Sequence, residues 1–239
     1  MDIVTFLNAP IWNVLVLPYF VLAWVGYTLF TKRMAKQAHC LASILDVHRV
    51  WWMERMLLRE NRIADATLIS NLERNVNFFA STTMIIIAAI LTALTNDFEL
   101  TFFSQNLGEN SSEYKLILML AIMVYAFFTF TWSLRQYGFG SVLLGAAPLP
   151  EQIEFNARQL KEYAHATAKV LDQAGHSFNY GLRAYYFSMA VIAWFIHPLL
   201  FLISTSLVVA VLYHREFKSK PLRLMEMDAD ILQRVQEKK

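Results

Sequence analysis

The chain has 239 residues, of which 56% are hydrophobic and 17% are charged, whereas soluble domains carry about 25% charged residues. A net charge of only +2 gives no reason to expect a nucleic-acid partner. The single cysteine, Cys40, excludes an internal disulfide and a cysteine-based metal cluster. This composition is typical of an integral membrane protein.

Four stretches without Asp, Glu, Lys or Arg are long enough to cross a hydrocarbon core of ~30 Å, which requires about 20 helical residues. We therefore predict four membrane crossings, at about 11–31, 75–96, 116–134 and 184–214. The expected fold is an all-α membrane helical bundle. It forms one domain over residues 1–214, followed by a polar tail at 215–239.

The first stretch is expected to remain in the protein as a membrane anchor. It is followed by the basic residues Lys32, Arg33 and Lys36 and by no small-residue cleavage site. A cleaved signal peptide would show the reverse pattern, with basic residues before its apolar stretch.

Lysine and arginine are distributed unevenly between the predicted loops. Residues 32–75 hold eight and residues 135–183 hold five, whereas residues 96–113 hold none, and the tail from Arg215 holds seven. Because loops rich in Lys and Arg stay in the cytosol, we predict an outside N-terminus in the cell membrane, which would be the inner membrane of a bacterium. Four complete crossings would nevertheless place the basic tail outside, against the same rule.

The last uncharged run has two interpretations. Its 31 residues would form a helix about 46 Å long, and Pro198 near its middle removes one backbone hydrogen bond. We favour one long helix kinked at Pro198, because membrane-spanning helices tolerate proline. The alternative is a re-entrant pair of shorter helices, which would return the tail to the cytosol.

Two further segments are predicted to be amphipathic helices on the cytosolic side. Residues 37–62 place leucine, isoleucine, methionine and tryptophan at near-helical spacing with arginines between them, which is typical of a helix at the membrane interface. Residues 151–174 follow two prolines and present one apolar face, and Gly175 is the expected end of that helix. Both helices need a partner surface, which each other, the membrane or a neighbouring subunit could supply.

Ionisable residues beside the predicted crossings are the first candidates for function. Glu73, Arg74, Arg135 and Arg183 fall near the cytosolic ends of crossings, where we expect them to terminate helices and reach the headgroups. The alternative is a guanidinium cluster at a pore mouth or an anionic-lipid pocket, because arginine binds phosphate bidentately. His197, within the last run, is expected to make an interhelical hydrogen bond.

Patterns for catalysis or metal binding are weak. The four uncharged runs disfavour a transporter coupled through membrane carboxylates. Glu162 and His165 have the Glu-x-x-His spacing of di-iron bundles, but such a site needs a second copy and two further glutamates. Asp172 and His176 share a helix face without an evident third ligand. With no nucleophile or phosphate-loop motif, we expect no metal, no cofactor and no enzymatic activity.

Three motifs carry a resemblance to a known family: Arg62–Met84 (RIADATLISNLERNVNFFASTTM), Trp132–Pro148 (WSLRQYGFGSVLLGAAP) and Asn179–Phe195 (NYGLRAYYFSMAVIAWF). In this order they resemble a family of bacterial and plant multi-pass membrane proteins, the domain of unknown function number five-nine-nine. The resemblance implies a membrane location and a single helical domain, and it brings no established activity. The polar positions it marks are Arg62, Asp65, Arg135, Asn179 and Arg183. The chain departs from the family pattern at Gly138, where an Asn-like residue is expected.

The leading functional hypothesis is a non-enzymatic homo-oligomer, either a channel-like pore or a membrane scaffold, because the amphipathic helices seek further burial. In the pore version, uncharged side chains line a path with Arg135 or Arg183 at its inner end. The alternatives are an accessory subunit of a larger membrane complex and a membrane enzyme acting on lipid or quinone. The enzyme would require a polar pocket around Arg62, Asp65, His165 and His176. The expected partners are bilayer lipids, including anionic lipids, and further copies of the chain.

Overall fold

A computed structural model of the chain describes residues 11–34, 40–95, 111–150 and 156–237. These residues form seven helices and no strand, which confirms the predicted all-α class. In chain order the helices are α1 (Ile11–Met34), α2 (Leu41–Leu57), α3 (Ile63–Thr95), α4 (Ser111–Ala146), α5 (Ala157–Ile196), α6 (Pro198–Phe217) and α7 (Lys220–Glu237).

Four helical stretches in the described part of the chain are long and apolar enough to cross a membrane: Leu15–Met34, Ile63–Thr95, Glu113–Ala146 and Pro198–Asp228. They support the predicted multi-pass membrane protein. The stretches on α3 and α4 have 33 and 34 residues, or about 50 Å at 1.5 Å per residue. They are thus ~20 Å longer than a hydrocarbon core.

The run at 184–214 is divided between two helices, so the single kinked helix that we favoured is wrong. α5 ends at Ile196 and α6 begins at Pro198. Proline is well suited to a first helical position, where its missing N–H has no partner to lose. The ring Nδ1 of His197 accepts a hydrogen bond from the backbone N–H of Leu199 at 3.1 Å, so His197 caps the start of α6.

The end of α5 and the start of α6 pack against each other as an antiparallel hairpin. The rings of Trp194 and Phe201 stack with their centroids 4.8 Å apart. Farther from the turn, the hydroxyl of Ser204 donates to the carbonyl of Ala190 at 3.4 Å. Residues at similar sequence distances on either side of His197 therefore meet, as in the re-entrant alternative.

Helices are present within the ranges predicted at 37–62 and 151–174, with corrected boundaries. Leu41–Leu57 forms α2, and α5 begins at Ala157 but runs for 40 residues without ending at Gly175. A Cβ at Gly175 would lie 2.6 Å from Nη2 of Arg49. This glycine therefore permits a close side-chain approach and does not stop the helix.

The chain divides into two compact units. Unit I comprises Met1–Gln37, Thr82–Phe127 and Leu182–Arg215, and unit II comprises Ala38–Ser81, Phe128–Gly181 and Glu216–Lys239.

Aromatic side chains form the core of unit I. The ring of Phe20 on α1 lies 5.6 Å from that of Phe187 on α5 and 5.1 Å from that of Phe201 on α6. The indole of Trp24, one turn later, stacks on Phe187 at 5.4 Å. These contacts join α1 to both arms of the hairpin.

α1 and α6 run parallel through unit I. The hydroxyls of Tyr19 and Ser206 are 2.7 Å apart, and the rings of Phe30 and Tyr213 have centroids 6.2 Å apart. From the first contact to the second, the residue numbers increase along both helices. The C-terminal ends of α1 and α6 therefore lie at the same end of unit I.

Among the described residues of unit II, apolar contacts join the helices in two groups. Ile44 on α2 and Leu222 on α7 are buried against each other and against Leu41, Val47 and Met225. The second group joins three helices through the rings of Phe79, Phe130 and Phe178, whose centroids lie 5.6 to 5.7 Å apart. The partner surface that α2 needed thus comes in part from α7.

Candidate functional site

Asp65 is buried in the first turn of α3, with 0% of its surface exposed. Its Oδ1 accepts hydrogen bonds from the indole Nε1 of Trp52 at 2.7 Å and from Nη1 of Arg59. A carboxylate in a first helical turn also interacts favourably with the helix dipole. Within the described part of the chain, its Oδ2 has no hydrogen-bond partner. Asp65 therefore ties the end of α2 to the start of α3.

Arg62 joins the start of α3 to the end of α4. Its Nη1 donates to the carbonyl of Ala147 at 2.7 Å, and its Nη2 donates to the carbonyl of Pro148 at 2.5 Å. Both carbonyls follow the last residue of α4, where backbone acceptors lack helical partners and a cation is favourable. The guanidinium that the family resemblance marked therefore caps a helix end.

Asp172 on α5 is the centre of a second charged cluster. Its Oδ1 accepts from Nη1 of Arg49 at 2.5 Å, and its Oδ2 lies 3.3 Å from Nε2 of His176. Burial by itself would raise the pKa of Asp172, but the hydrogen bond from His176 and the charge of Arg49 outweigh it and leave that pKa below its usual value. Asp172 and His176 share a helix face as predicted, but their contact with each other and the partner Arg49 were not predicted.

Side-chain hydroxyl groups link α4 to α5 in unit II. Tyr163 donates to the carbonyl of Leu143 at 2.6 Å, and Ser133 donates to the carbonyl of Ala174 at 2.7 Å. Burial raises the pKa of the Tyr163 hydroxyl, so it remains a neutral donor at physiological pH. These bonds hold the two long helices in register.

Each of the other predicted residues of unit II has a contact of its own or is exposed. The carboxylate of Glu73 accepts from the hydroxyl of Ser141 at 3.1 Å. The guanidinium of Arg135 is exposed and lies 5.7 Å from the ring centroid of Phe139. Arg74 and Asn179 are exposed.

Arg183 belongs to unit I, where it joins α5 to α1. Its Nη1 donates to the hydroxyl of Thr31 at 2.9 Å, and its Cζ lies 5.3 Å from the ring centroid of Tyr27. A cation close to an aromatic face is attracted by the ring's electrons. Arg183 is therefore held within the protein, unlike the exposed Arg135.

A family model described as "Protein of unknown function, DUF599" matches residues 15–221. The chain belongs to this family. No curated protein and no solved structure matches it. Membership confirms the resemblance carried by the three sequence motifs, and the matched range contains Asp65, Asp172, Arg62, Arg135 and Arg183.

Lys115 is a buried cation that the sequence analysis overlooked. It is 2% exposed near the start of α4, and its Nζ donates to the carbonyl of Trp194 at 3.2 Å. The same Nζ lies 5.5 Å and 5.7 Å from the ring centroids of Trp194 and Phe195. Lys115 thus caps the C-terminus of α5 beside the hairpin turn. The sequence signal that could have marked Lys115 was its position directly before an uncharged run.

The Glu-x-x-His pair lies on the surface of α5. Glu162 forms an exposed ion pair with Arg158 at 2.9 Å, and His165 borders a shallow pocket of about 530 Å³ beside both. In the described ranges, no group of three or more His, Cys, Asp or Glu residues is placed to hold a metal ion.

Proposed function

We propose that this protein is a non-enzymatic membrane protein that works as a homo-oligomer, either a channel-like pore or a membrane scaffold. The observation that carries this proposal is an exposed stripe along α4, which we call the α4 stripe: Phe128, Trp132, Arg135, Phe139 and Val142. Its members alternate in steps of four and three residues. Apolar residues at this spacing are typical of the seam between two packed helices.

Part of the α4 stripe extends beyond the lipid in this proposal. Because charged side chains avoid the hydrocarbon, Arg135 would mark the cytosolic membrane surface. Phe139 and Val142 follow it and remain 45% and 69% exposed. Neighbouring apolar side chains that neither lipid nor the chain itself covers favour a protein partner. A second copy carries the same stripe, so two copies can cover each other.

In the pore version, Arg135 supplies the charge at the inner mouth. It lies within the α4 stripe, so each copy in a symmetric ring would place one guanidinium at the same depth. Arg183 is the weaker candidate, because its guanidinium already contacts Thr31 and Tyr27.

The same proposal places the N-terminus outside and the C-terminal tail in the cytosol. The parallel course of α1 and α6, together with the hairpin at His197, supports this topology. Such a hairpin would return α7 and the seven basic residues from Arg215 onward to the cytosolic side. The positive-inside rule would then hold for the tail as well as for the loops.

The non-enzymatic part of the proposal is supported by the contacts of the ionisable side chains. Asp65, Arg62 and Asp172 each bind groups on another helix or at a helix end. These contacts stabilise the arrangement of helices and engage Oδ1 of Asp65 and both carboxylate oxygens of Asp172. The alternative lipid or quinone pocket would require Arg62, Asp65, His165 and His176 to surround one ligand. Arg62 contacts the end of α4 and Asp65 contacts Trp52, whereas His165 borders a surface pocket and His176 contacts Asp172.

Cysteine crosslinking in native membranes tests the homo-oligomer. In a Cys40→Ala background, Phe139→Cys and Val142→Cys should give crosslinked homodimers with a bismaleimide. The control Lys161→Cys, exposed on α5, should give far fewer. Native mass spectrometry of the unmodified protein should show an oligomer. A monomer without crosslinks, or crosslinks only to a different protein, would contradict the proposal, and the latter would indicate an accessory subunit.

Ion flux through proteoliposomes separates the two versions of the homo-oligomer. If Arg135 lines the inner mouth, Arg135→Ala should change the conductance or the anion–cation selectivity, whereas Arg158→Ala on the surface of α5 should not. An oligomer without flux, or flux that Arg135→Ala leaves unchanged, would rule out the Arg135 pore and leave the scaffold.

A further inference from the structure

An open groove of about 760 Å³ runs along unit I between α1 and α6. Tyr19 and Ser206 lie at one end of it, and Phe30 and Tyr213 lie at the other. Tyr19 and Phe30 are eleven positions apart, which corresponds to about 16 Å at 1.5 Å per residue. This length is close to half of a ~30 Å hydrocarbon core, or one leaflet.

Small residues leave the groove open along its length. Ala23, Gly26 and Ala210 line it, and a Cβ at Gly26 would meet no atom within 4 Å. The volume lies within the ~300–1,000 Å³ of small-molecule pockets. An open, largely apolar groove of this length can hold a hydrocarbon chain.

The end of the groove at Phe30 and Tyr213 is strongly cationic. There the last turn of α1 carries Lys32 and Arg33, and the last turn of α6 carries His214 and Arg215. Arg33 lies seven positions after Gly26 and three after Phe30, so it continues the groove-lining face of α1. It is exposed, whereas Arg215 donates to the hydroxyl of Tyr186 at 2.6 Å.

The acidic residue of unit I lies away from that end. Among the described residues of unit I, Glu113 is the one acid, and it belongs to the first turn of α4. The neighbouring Lys115 contacts the C-terminus of α5 beside the hairpin turn. α6 starts at that turn, and its other end carries the basic residues. The cationic end therefore attracts a negative group. The acid on α6, Glu216, directly follows Arg215, and its carboxylate accepts a hydrogen bond from the backbone N–H of Ala42 at 3.4 Å.

We propose that this groove binds one anionic phospholipid. One acyl chain lies along Gly26 and Ala210, and the phosphate binds the guanidinium of Arg33, whose fork matches phosphate oxygens. The chain-binding part accepts any phospholipid, whereas the cationic end selects lipids with a net negative charge. The site is formed by α1 and α6, so it stands without the proposed oligomer at the α4 stripe.

Lipid titration of the full-length protein tests the site. The protein in mild detergent is titrated with phosphatidylglycerol or with phosphatidylcholine of the same chains, and native mass spectrometry counts the bound lipids. The unmodified protein should retain one phosphatidylglycerol preferentially. Arg33→Gln should reduce that preference by about fivefold, as expected for one cation at an anionic lipid surface. Gly26→Leu should reduce the retention of both lipids.

Two matched controls keep the test specific. Gly138→Leu places the same side chain in open space on α4, and Arg158→Gln removes an exposed arginine from α5. Both should bind lipid as the unmodified protein does, and thermal unfolding should show that every variant is folded. Equal retention of the two lipids, or equal effects of test and control variants, would overturn the proposal. A change in oligomeric state by Gly26→Leu without a change in lipid binding would also overturn it.

Discussion

The guanidinium of Arg49 reaches from α2 to Asp172 on α5, where its Nη1 donates a hydrogen bond at 2.5 Å. On the way it passes Gly175, where a Cβ would come within 2.6 Å of Nη2. The buried ion pair and the glycine in the middle of a helix are therefore parts of one arrangement.

Gly175→Ala should change the free energy of unfolding in opposite directions in the unmodified protein and in Arg49→Met. In the unmodified protein, the added methyl group should displace Arg49 and lower the free energy of unfolding. Arg49→Met alone should cost about 3 kcal/mol, since it leaves a buried carboxylate without its cation. In the Arg49→Met background, Gly175→Ala should then raise the free energy of unfolding by about 1 kcal/mol through better helix propensity. Thermal unfolding in detergent measures all four proteins, and the same sign in both backgrounds would contradict the arrangement.

Protein stability should fall in acid because of Asp172. Its pKa is lower in the folded protein than its usual value, so the unfolded chain binds the proton more readily. The cluster therefore contributes its full stabilisation above about pH 4 and loses it as the pH falls through the folded pKa. Thermal unfolding between pH 7 and pH 3 should show a smaller acid dependence in Asp172→Asn. Glu162→Gln, which alters an exposed ion pair, should behave like the unmodified protein.

Trp52→Phe should destabilise the protein by ~1.5–3 kcal/mol, because it removes an N–H donor from the buried, charged carboxylate of Asp65. Trp51 is a matched control on the same helix. Its indole lies 5.8 Å from Cζ of Arg55, a contact worth less than about 1 kcal/mol at a partly exposed site. Comparable losses from the two substitutions would show that ring volume, and not the hydrogen bond, accounts for the effect at position 52.

Cysteine labelling should place both ends of the hairpin on one side of the membrane. In a Cys40→Ala background, Lys161→Cys before the hairpin and Arg223→Cys after it should react with an impermeant maleimide only after the cells are permeabilised. Glu113→Cys at the start of α4 should react in intact cells. A single kinked helix would expose position 223 on the side opposite to position 161, so labelling of Arg223→Cys in intact cells would contradict the proposed topology.

Much of the helical architecture could be predicted because its cause is local. Apolar side chains at helical spacing indicated α2 and the first half of α5, and long uncharged runs indicated α1, α3 and α4. The end predicted at Gly175 was wrong because a glycine can stop a helix or admit a neighbouring side chain, and the neighbour is not apparent from the local sequence. Pro198 was ambiguous for the same reason, since proline is compatible with both a kink and a first helical turn.

The candidate site was less accessible to prediction. Arg62, Asp65 and Arg183 were marked in advance through the family motifs, but their partners were not. Asp172 and His176 could be placed on one helix face because they lie four residues apart.

The sequence by itself determined the all-α class and the long apolar helices of a multi-pass protein, because hydrophobicity and helical periodicity depend only on neighbouring residues. Its three motifs marked the DUF599 family. Only the tertiary structure decided that the last apolar run folds back on itself, that Arg49 pairs with Asp172 from 123 positions away, and that α1 and α6 leave a groove between them. Each of these features depends on side chains that are distant along the chain, and a contact of that kind exists only once the helices have packed.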